Sequence, residues 1–379
     1  MGRTAVLRTS DRTSFKGCRR RWNWQSNLRQ NLEPKQGQNA LWFGTGIHFA
    51  LEEYFDPTCD RPWKARPSEA FQAYVKATQI VGRQEMPPDW EELSEMGIAI
   101  LDYFVDSWLP LRDPLKTYVH DGIPQLEVNF QIDVPFDVKA MYPDSPYDNV
   151  VYSGTMDRVT IDENGLLWIV DYKTAKVMKA SHFANDPQVT AYCWAASQLY
   201  GREVGGLIYW QFAKAVPKQP EPLVSGKIST AQNQRTTRPL YKKALVDYYG
   251  SVEKAPSANI QFLNQLAMQE SPDQDAYIRR DRIWKNRRSL EAEGAKILME
   301  LEDILNPNLQ LYPNPTFMCP STCAFYEVCV SMDDGSDWEE QLQMETIQRA
   351  GSDESWRRGL PKAIELMYGK KDSIDFDNL

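Results

Sequence analysis

No stretch of this 379-residue chain approaches the roughly 20 consecutive apolar residues that cross a bilayer, so a membrane span is not expected. There is no Gly-x4-Gly-Lys-Ser/Thr loop, so any ATP-driven unwinding would have to come from another protein. The first 22 residues lack the apolar core of a secretory leader, and the opening Met-Gly lacks the pattern of a myristoylation site. An intracellular, cytoplasmic setting follows as the expectation. Internal repeats are absent. Histidine is scarce, with three residues, and cysteine is limited to six. In a reducing compartment those thiols stay free, and a cluster of them points to metal binding rather than disulfides.

What is present is an ordinary globular composition, 42% hydrophobic and 25% charged, with twelve Trp and eighteen Tyr that suit a large core or stacking surfaces. The net charge of −9 argues against indiscriminate nucleic-acid binding, but its distribution is uneven. Residues 1–40 hold nine Lys/Arg against two acids, and "RRDRIWKNRR" (279–288) holds six bases against one acid. Residues 331–379 hold twelve acids against six bases. Solvated helix faces would account for either basic patch taken singly.

Pattern and punctuation predict a short helix over 10–30, an amphipathic helix over 40–55 and mostly helix over 67–118. Strict alternation over 124–136 predicts a strand, with Leu126, Val128, Phe130, Ile132 and Val134 on one face and Glu127, Asn129, Gln131 and Asp133 on the other. Two more strands are expected at 150–161 and 166–173, a helix at 186–201 and a strand at 205–214. A polar loop follows, then helices near 240–268 and 273–305, a Cys-rich segment and a weakly structured tail. This order implies one α/β core wrapped by helices.

Only "DENG" separates the strands at 150–161 and 166–173. A three-residue bend Glu163-Asn164-Gly165, with Gly165 left-handed, would pair residues whose numbers sum to 328. Asp157 then faces Asp171, and Lys173 shares their side of the sheet. Facing carboxylates repel unless a cation lies between them, and oxygen ligands favour Mg²⁺ or Mn²⁺. A divalent ion beside a lysine suits phosphodiester hydrolysis: the ion activates water, and the lysine orients it and stabilises developing charge. A two-residue bend would shift the register by one and send the two aspartates to opposite faces. Taken alone, Asp-x-Lys also reads as a strand surfacing at its end.

The segment "SGTMDRVTIDENGLLWIVDYKTAK" resembles the nuclease core of the PD-(D/E)XK superfamily, and most closely its RecB-type branch, which includes AddB and CRISPR-associated RecB-like exonucleases. The resemblance rests on Gly154-Thr-Met-Asp157 on one strand and Asp171-Tyr-Lys173 on the next. His48 in "GTGIHFALEEYF", Glu127 in "LEVNF" and Gln188-Val-Thr-Ala-Tyr192 fall in matching order. It implies a restriction-endonuclease-like α/β core with a mixed sheet over residues 40–215. A basic segment (1–39) precedes this core, and a helical region (216–330) and an acidic tail (331–379) follow. It implies His48, Asp157 and Asp171 as metal ligands, with Asp157, Asp171, Lys173, Glu127, Gln188 and Tyr192 as the catalytic set. Read from the residues alone, His48 would be a packed core histidine, Glu127 a solvent-facing strand residue, and Gln188 with Tyr192 an ordinary helix face. His120 and His182 are assigned no role. The expected setting is bacterial, or that of a virus in a bacterial host.

Cys319, Cys323 and Cys329 form Cys-x3-Cys-x5-Cys, which is neither a zinc ribbon nor a ferredoxin run. The resembled exonucleases add one early cysteine and hold a 4Fe-4S cluster. Cys18 matches that position, although this chain has x3 where they usually have x2. Zinc and plain buried thiols are the alternatives, and Cys59 and Cys193 read as bystanders. Beside Cys18, Arg19, Arg20, Arg21 and Trp22 combine charge with an aromatic that could stack on bases. The expected substrate is DNA, as single strands or unwound ends, cut from an end by resemblance. The rival readings are an inactive DNA-binding subunit, and a zinc or iron–sulfur scaffold for a helicase or recombination partner.

Overall fold

The structure, a computed structural model, describes residues 3–35, 39–81, 87–108, 115–179, 186–271 and 273–349. Strand β1 (Thr4–Arg8) leads into α1 (Thr9–Gly17), α2 (Arg19–Gln25) and the short β2 (Leu32–Pro34). Helices α3 (Asn39–Phe55), α4 (Pro67–Val81) and α5 (Trp90–Tyr103) follow. Three minimal strands, β3 (Lys116–Thr117), β4 (Val119–His120) and β5 (Ile123–Pro124), precede β6 (Leu126–Asp133) and the one-turn α6 (Val138–Met141). The hairpin β7 (Asn149–Ile161) and β8 (Leu167–Ala175) is followed by α7 (Pro187–Tyr200) and β9 (Val204–Ala213). Then come α8 (Arg238–Tyr249), α9 (Ser257–Gln269), β10 (Ile278–Trp284) and α10 (Arg287–Leu305). The chain continues through α11 (Cys319–Thr322), α12 (Tyr326–Asp334), α13 (Trp338–Glu345) and β11 (Thr346–Gln348).

A mixed sheet in the order β1-β7-β8-β9-β10, with β3 and β6 also on β7, forms the centre. The architecture is a mixed α/β fold with helices on both faces, consistent with a restriction-endonuclease-like core. One face packs on α1, α7 and α10 through Phe15, Tyr152, Val189, Leu207 and Ile297. The other packs on α3, α4 and α5 through Ile47, Phe71, Ile100, Val170 and Phe212. Contact between these helices is close because Gly46 and Gly97 let the Phe71 and Tyr74 rings in. A Cβ at Gly46 would fall 2.5 Å from the Phe71 ring, and one at Gly97 would fall 2.4 Å from it. Helix α7 starts where Asp186 accepts the Gln188 N–H and Pro187 presets the first turn, and it stops at the left-handed Gly201. Among the described residues no helix is long and apolar enough to cross a membrane.

Several elements differ from the sequence reading. The helix expected over 10–30 breaks at Cys18, whose backbone is extended with φ −163°. The helix over 240–268 is two helices, parted at the left-handed Gly250. The basic run lies on a strand rather than a helix: β10 pairs antiparallel with β9 from Ile278–Phe212 to Trp284–Gly206. Its alternation was masked by charge, since Arg280 is buried on the same side as Ile278 and is neutralised by Asp273 at 2.7 Å. Strand β1, unforeseen, adds parallel to β7. The tail is ordered up to residue 349: α13 and β11 fold back, and β11 pairs with β2. Beyond that the tail, like His182, lies outside the described residues.

A buried ion cluster ties the two ends of the chain together. Arg12 on α1 reaches Glu293 at 2.7 Å and Glu300 at 2.6 Å on α10, and Arg12 and Glu293 are both 2% exposed.

Candidate active site

Asp157 lies where β7 changes neighbours. One edge of β7 pairs with β1 over Asn149–Ser153 and then with β8 over Arg158–Ile161, while β6 holds the opposite edge from Val151 to Arg158. Residues 154–157 therefore border a gap between β1 and β8. The register on the β8 side is the one a three-residue bend predicts: Arg158 pairs with Val170 and Ile161 with Leu167, and Gly165 has φ +81°. Regular pairing stops one residue short of Asp157 and Asp171. There the strands part, and Asp157 Oδ2 accepts the Tyr172 N–H at 2.7 Å in place of a ladder bond.

The β6 side opens too. Leu126–Arg158 and Val128–Met156 keep the strands in register, yet Glu127 between them has φ +44°. A left-handed backbone at a non-glycine residue costs about 1–3 kcal/mol and persists only where its surroundings enforce it. Here it sets the Glu127 carboxylate beside Asp157. Helix α3 covers the opening with His48, whose Nδ1 lies 3.3 Å from Glu127 Oε1 and 3.5 Å from Asp157 Oδ1. His48 Nε2 donates to the Tyr172 carbonyl at 2.9 Å. That bond keeps a proton on Nε2 and leaves Nδ1 as the atom able to ligate.

One ligand atom from each of His48, Glu127 and Asp157 lies within 4.8 Å of the others. An imidazole nitrogen with carboxylate oxygens is a donor set for a divalent ion such as Mg²⁺ or Mn²⁺. Without an ion, a proton on His48 takes its place between the carboxylates. Burial opposes a charged His48, but Asp157 and then Glu127 outweigh it and push the imidazole up to about 9. Burial, helped by Asp171 and Glu127 and opposed by His48, holds the Asp157 carboxyl above its ordinary value.

Asp171, placed by sequence among the ligands, stands outside this trio and turns to Lys173, whose Nζ is 2.8 Å from its Oδ2. Burial works against the Lys173 charge, but Asp171 and Asp157 outweigh it and push the ammonium up to about 12. Lys173 is therefore a fixed cation and not a proton acceptor near neutral pH. Tyr192 on α7 faces the same carboxylates. Burial, then Asp171 and Asp157, raise its phenol, and the Gln188 side chain hydrogen-bonds to it. It stays protonated and can only donate to an anion.

Sequence reasoning missed Tyr209, Gln211 and Asp186. The parallel register sets Tyr209 beside Asp171 and Gln211 beside Lys173. Tyr209 donates to Asp186 Oδ2 at 3.2 Å, which couples the sheet to the start of α7. The Gln211 amide brackets the main chain of Lys179, accepting from its N–H at 3.1 Å and donating to its carbonyl at 3.0 Å. The alternation of Tyr209 and Gln211 in "IYWQF" was visible, but the parallel pairing of that strand with β8 was not.

The four cysteines singled out by sequence lie on segments that meet. Arg20 N–H bonds the Tyr312 carbonyl, and Asn314 bonds the Gly17 carbonyl at 2.9 Å, so the Cys18 turn rests on the segment before Cys319. Arg20 Nη1 reaches Cys329 Sγ at 3.2 Å and Asp333 at 2.7 Å. The Thr316 N–H, with Arg21 nearby, draws the Cys319 thiol down. Burial raises Cys323, and thiolates at Cys18 and Cys319 would raise it further, so these groups lie within electrostatic reach of it. Among the described residues no three of these sulfurs lie within 4.8 Å of one another. Tetrahedral zinc, with Zn–S of about 2.3 Å, would hold them about 3.8 Å apart.

Of the DNA contacts expected beside Cys18, the stacking role of Trp22 needs correction. Trp22 is fully buried against Phe15 at 5.1 Å, with the Arg29 guanidinium over its ring, so it offers no face to a base. Arg19 sits over the Phe15 and Tyr312 rings, and Arg20 is held by Asp333 and Cys329. The Nε atoms of Arg20 and Arg21 are buried without a hydrogen-bond partner. Arg20 and Arg21 thus lie beside the thiols, while Arg19 pairs with Asp303 at 3.6 Å.

Compared with known proteins, residues 9–330 match the sequence model of the PD-(D/E)XK nuclease superfamily. No curated protein matches.

Proposed function

Because this chain belongs to the PD-(D/E)XK nuclease superfamily, whose members are metal-dependent nucleases, we propose that it hydrolyses DNA phosphodiesters at the site around Asp157. The observation that carries this reading is the His48, Glu127 and Asp157 trio set in the gap of β7, with Asp171 and Lys173 alongside. A bound Mg²⁺ or Mn²⁺ would supply Lewis acidity and a water of lowered pKa. Asp157 is fixed by the Tyr172 N–H, and His48 by the Tyr172 carbonyl, so both keep their aim without substrate. Lys173, held by Asp171, presents a permanent positive charge where negative charge develops on the phosphoryl oxygens. Tyr192, protonated beside the same carboxylates, is a second donor for a phosphate oxygen.

Attack on single-stranded or unwound ends is supported by the RecB-type motif order and by the absence of an NTP-binding loop, which leaves unwinding to a helicase or recombination partner. A structural 4Fe-4S cluster on Cys18, Cys319, Cys323 and Cys329 is supported by their convergence and by Arg20 and Arg21. Those guanidiniums suit the anionic charge of a thiolate cluster, and their Nε donors lack protein partners. Such a cluster would staple residue 18 to residue 329 and contribute its binding energy to folding.

Anaerobic purification should yield a brown protein with iron. A Cys18→Ala variant should lose iron and melt lower, while unchanged melting with full iron rules out Cys18 as a ligand and staple. End-labelled DNA with Mn²⁺ should be degraded by the wild type and spared by Lys173→Ala. Intact DNA in both cases would leave the inactive DNA-binding or scaffold reading.

A further inference from the structure

With Trp22 buried and Arg20 held by Cys329 and Asp333, a cationic surface nearer Asp157 is wanted to hold a nucleic-acid strand there. The carboxyl ends of the parallel strands β8 and β9 supply one. Past Lys173 and Gln211 the pair runs to Ala175 and Ala213, and the Lys214 N–H closes it by bonding the Ala175 carbonyl at 2.8 Å. Lys176 and Lys214 follow these last paired residues on adjacent strands.

Lys214 is half-buried, and its ammonium lies 5.4 Å from the centre of the Phe43 ring on α3. Burial and then the charge of Lys176 lower its pKa, and Asp89 acts the other way and less strongly. Two like charges at the ends of adjacent strands repel, and a bound anion would relieve that repulsion, while the Phe43 face steadies the Lys214 ammonium where it stands.

The place also fits. Phe43 lies five residues before His48 on α3, about 7 Å along the helix axis. Helix α3 passes β8 between them: a Cβ at Gly44 would lie 3.9 Å from Thr174 Oγ1, within van der Waals contact. Ligands of open α/β sheets bind beyond the carboxyl ends of parallel strands, where neighbouring strands part. Here β8 has left β7 after Val170.

We propose that Lys176 and Lys214 form a phosphate-binding subsite that grips the nucleic-acid backbone next to the phosphodiester held at His48, Glu127 and Asp157. This rests on the nuclease reading and names the residues that hold the substrate. Lys176 contributes charge from the exposed side, and Lys214 contributes a positioned donor braced by Phe43.

The test is binding of a fluorescein-labelled 20-mer oligodeoxynucleotide to the full chain, followed by anisotropy in EDTA so that binding is read without cleavage. Lys176→Gln and Lys214→Gln should each weaken affinity about fivefold at low salt and lower the slope of log K against log salt by about 0.7. Lys214→Arg should restore the slope, and Lys254→Gln, on the distant loop after α8, should leave it unchanged. In Mn²⁺, KM for DNA should rise by a larger factor than kcat falls. Wild-type slope and affinity in both glutamine variants would overturn the proposal, and exposed Lys176 keeps it testable if Lys214→Gln folds poorly. DNA left intact by a wild-type chain that still shows the lysine-dependent slope would sink the nuclease reading and spare the subsite. Cleavage with an unaltered slope would do the reverse.

Discussion

A divalent ion entering the Asp157 site has to displace a proton. In the metal-free protein the carboxylates of Asp157 and Glu127 push His48 from an ordinary 6.5 up to about 9. The gap corresponds to about 3 kcal/mol of preference for the imidazolium. At pH 7 nearly every His48 carries that proton on Nδ1, the atom that must be bare to ligate. Apparent Mn²⁺ affinity should therefore rise about tenfold per pH unit from pH 7, reach about 100-fold at pH 9, and then level off. The stability sign runs the same way. A histidine raised in the folded state stabilises fully below about 6.5, and that contribution is lost as pH climbs through about 9. EDTA-treated protein should thus lose stability across this window, while the stabilisation added by Mn²⁺ grows. Calorimetric titration with Mn²⁺ at pH 7, 8 and 9, repeated in buffers of different ionisation enthalpy to count released protons, measures both. Flat affinity over this range, or a His48→Ala variant that keeps the slope, would show that the imidazole does not compete for the ion.

Other outcomes follow from the same geometry. Lys173→Gln should lower cleavage about 100- to 1000-fold, as loss of one charge-stabilising donor does, without weakening Mn²⁺ binding measured by titration. Arg12→Met removes the buried cation nearest Glu293 and leaves Glu300 to Lys16 alone, and should cost about 3 kcal/mol at pH 7 in urea unfolding. Arg12 and Lys16 overcome burial to hold Glu300 below its ordinary value, so this penalty should shrink as pH falls through the carboxylate range; a pH-independent penalty would point to lost packing alone. Trp22→Ala should cost about 3–5 kcal/mol by emptying a core site while leaving oligonucleotide affinity of the folded fraction unchanged.

The local rules were the readable part. Gly165 in a short polar bend, flanked by apolar strands, was enough to set the β7–β8 register, because turn length determines which residues pair. Asp186, Pro187 and Gly201 marked both ends of α7. Strand β10 escaped notice because its partner β9 lies some 70 residues earlier, and because its arginines hid the alternation: Arg279 is paired by Asp281 on the same strand and Arg280 by Asp273 just before it. The burial of Trp22 was equally hidden: basic neighbours imply an exposed segment, and only the packing of α1 and α10 shows otherwise.

By itself the sequence determined which residues could do chemistry and the order in which strands and helices carry them, since spacing and turn residues act within a few positions. The tertiary structure decided the partnerships. It put Glu127 rather than Asp171 with His48 and Asp157, through a left-handed residue in β6 and a gap in the β7 edge. It turned Arg20 toward Cys329 and set Lys176 and Lys214 at the ends of adjacent strands. These contacts join segments tens to hundreds of residues apart, and they depend on how sheet, helices and buried charges share one interior, which no local pattern encodes.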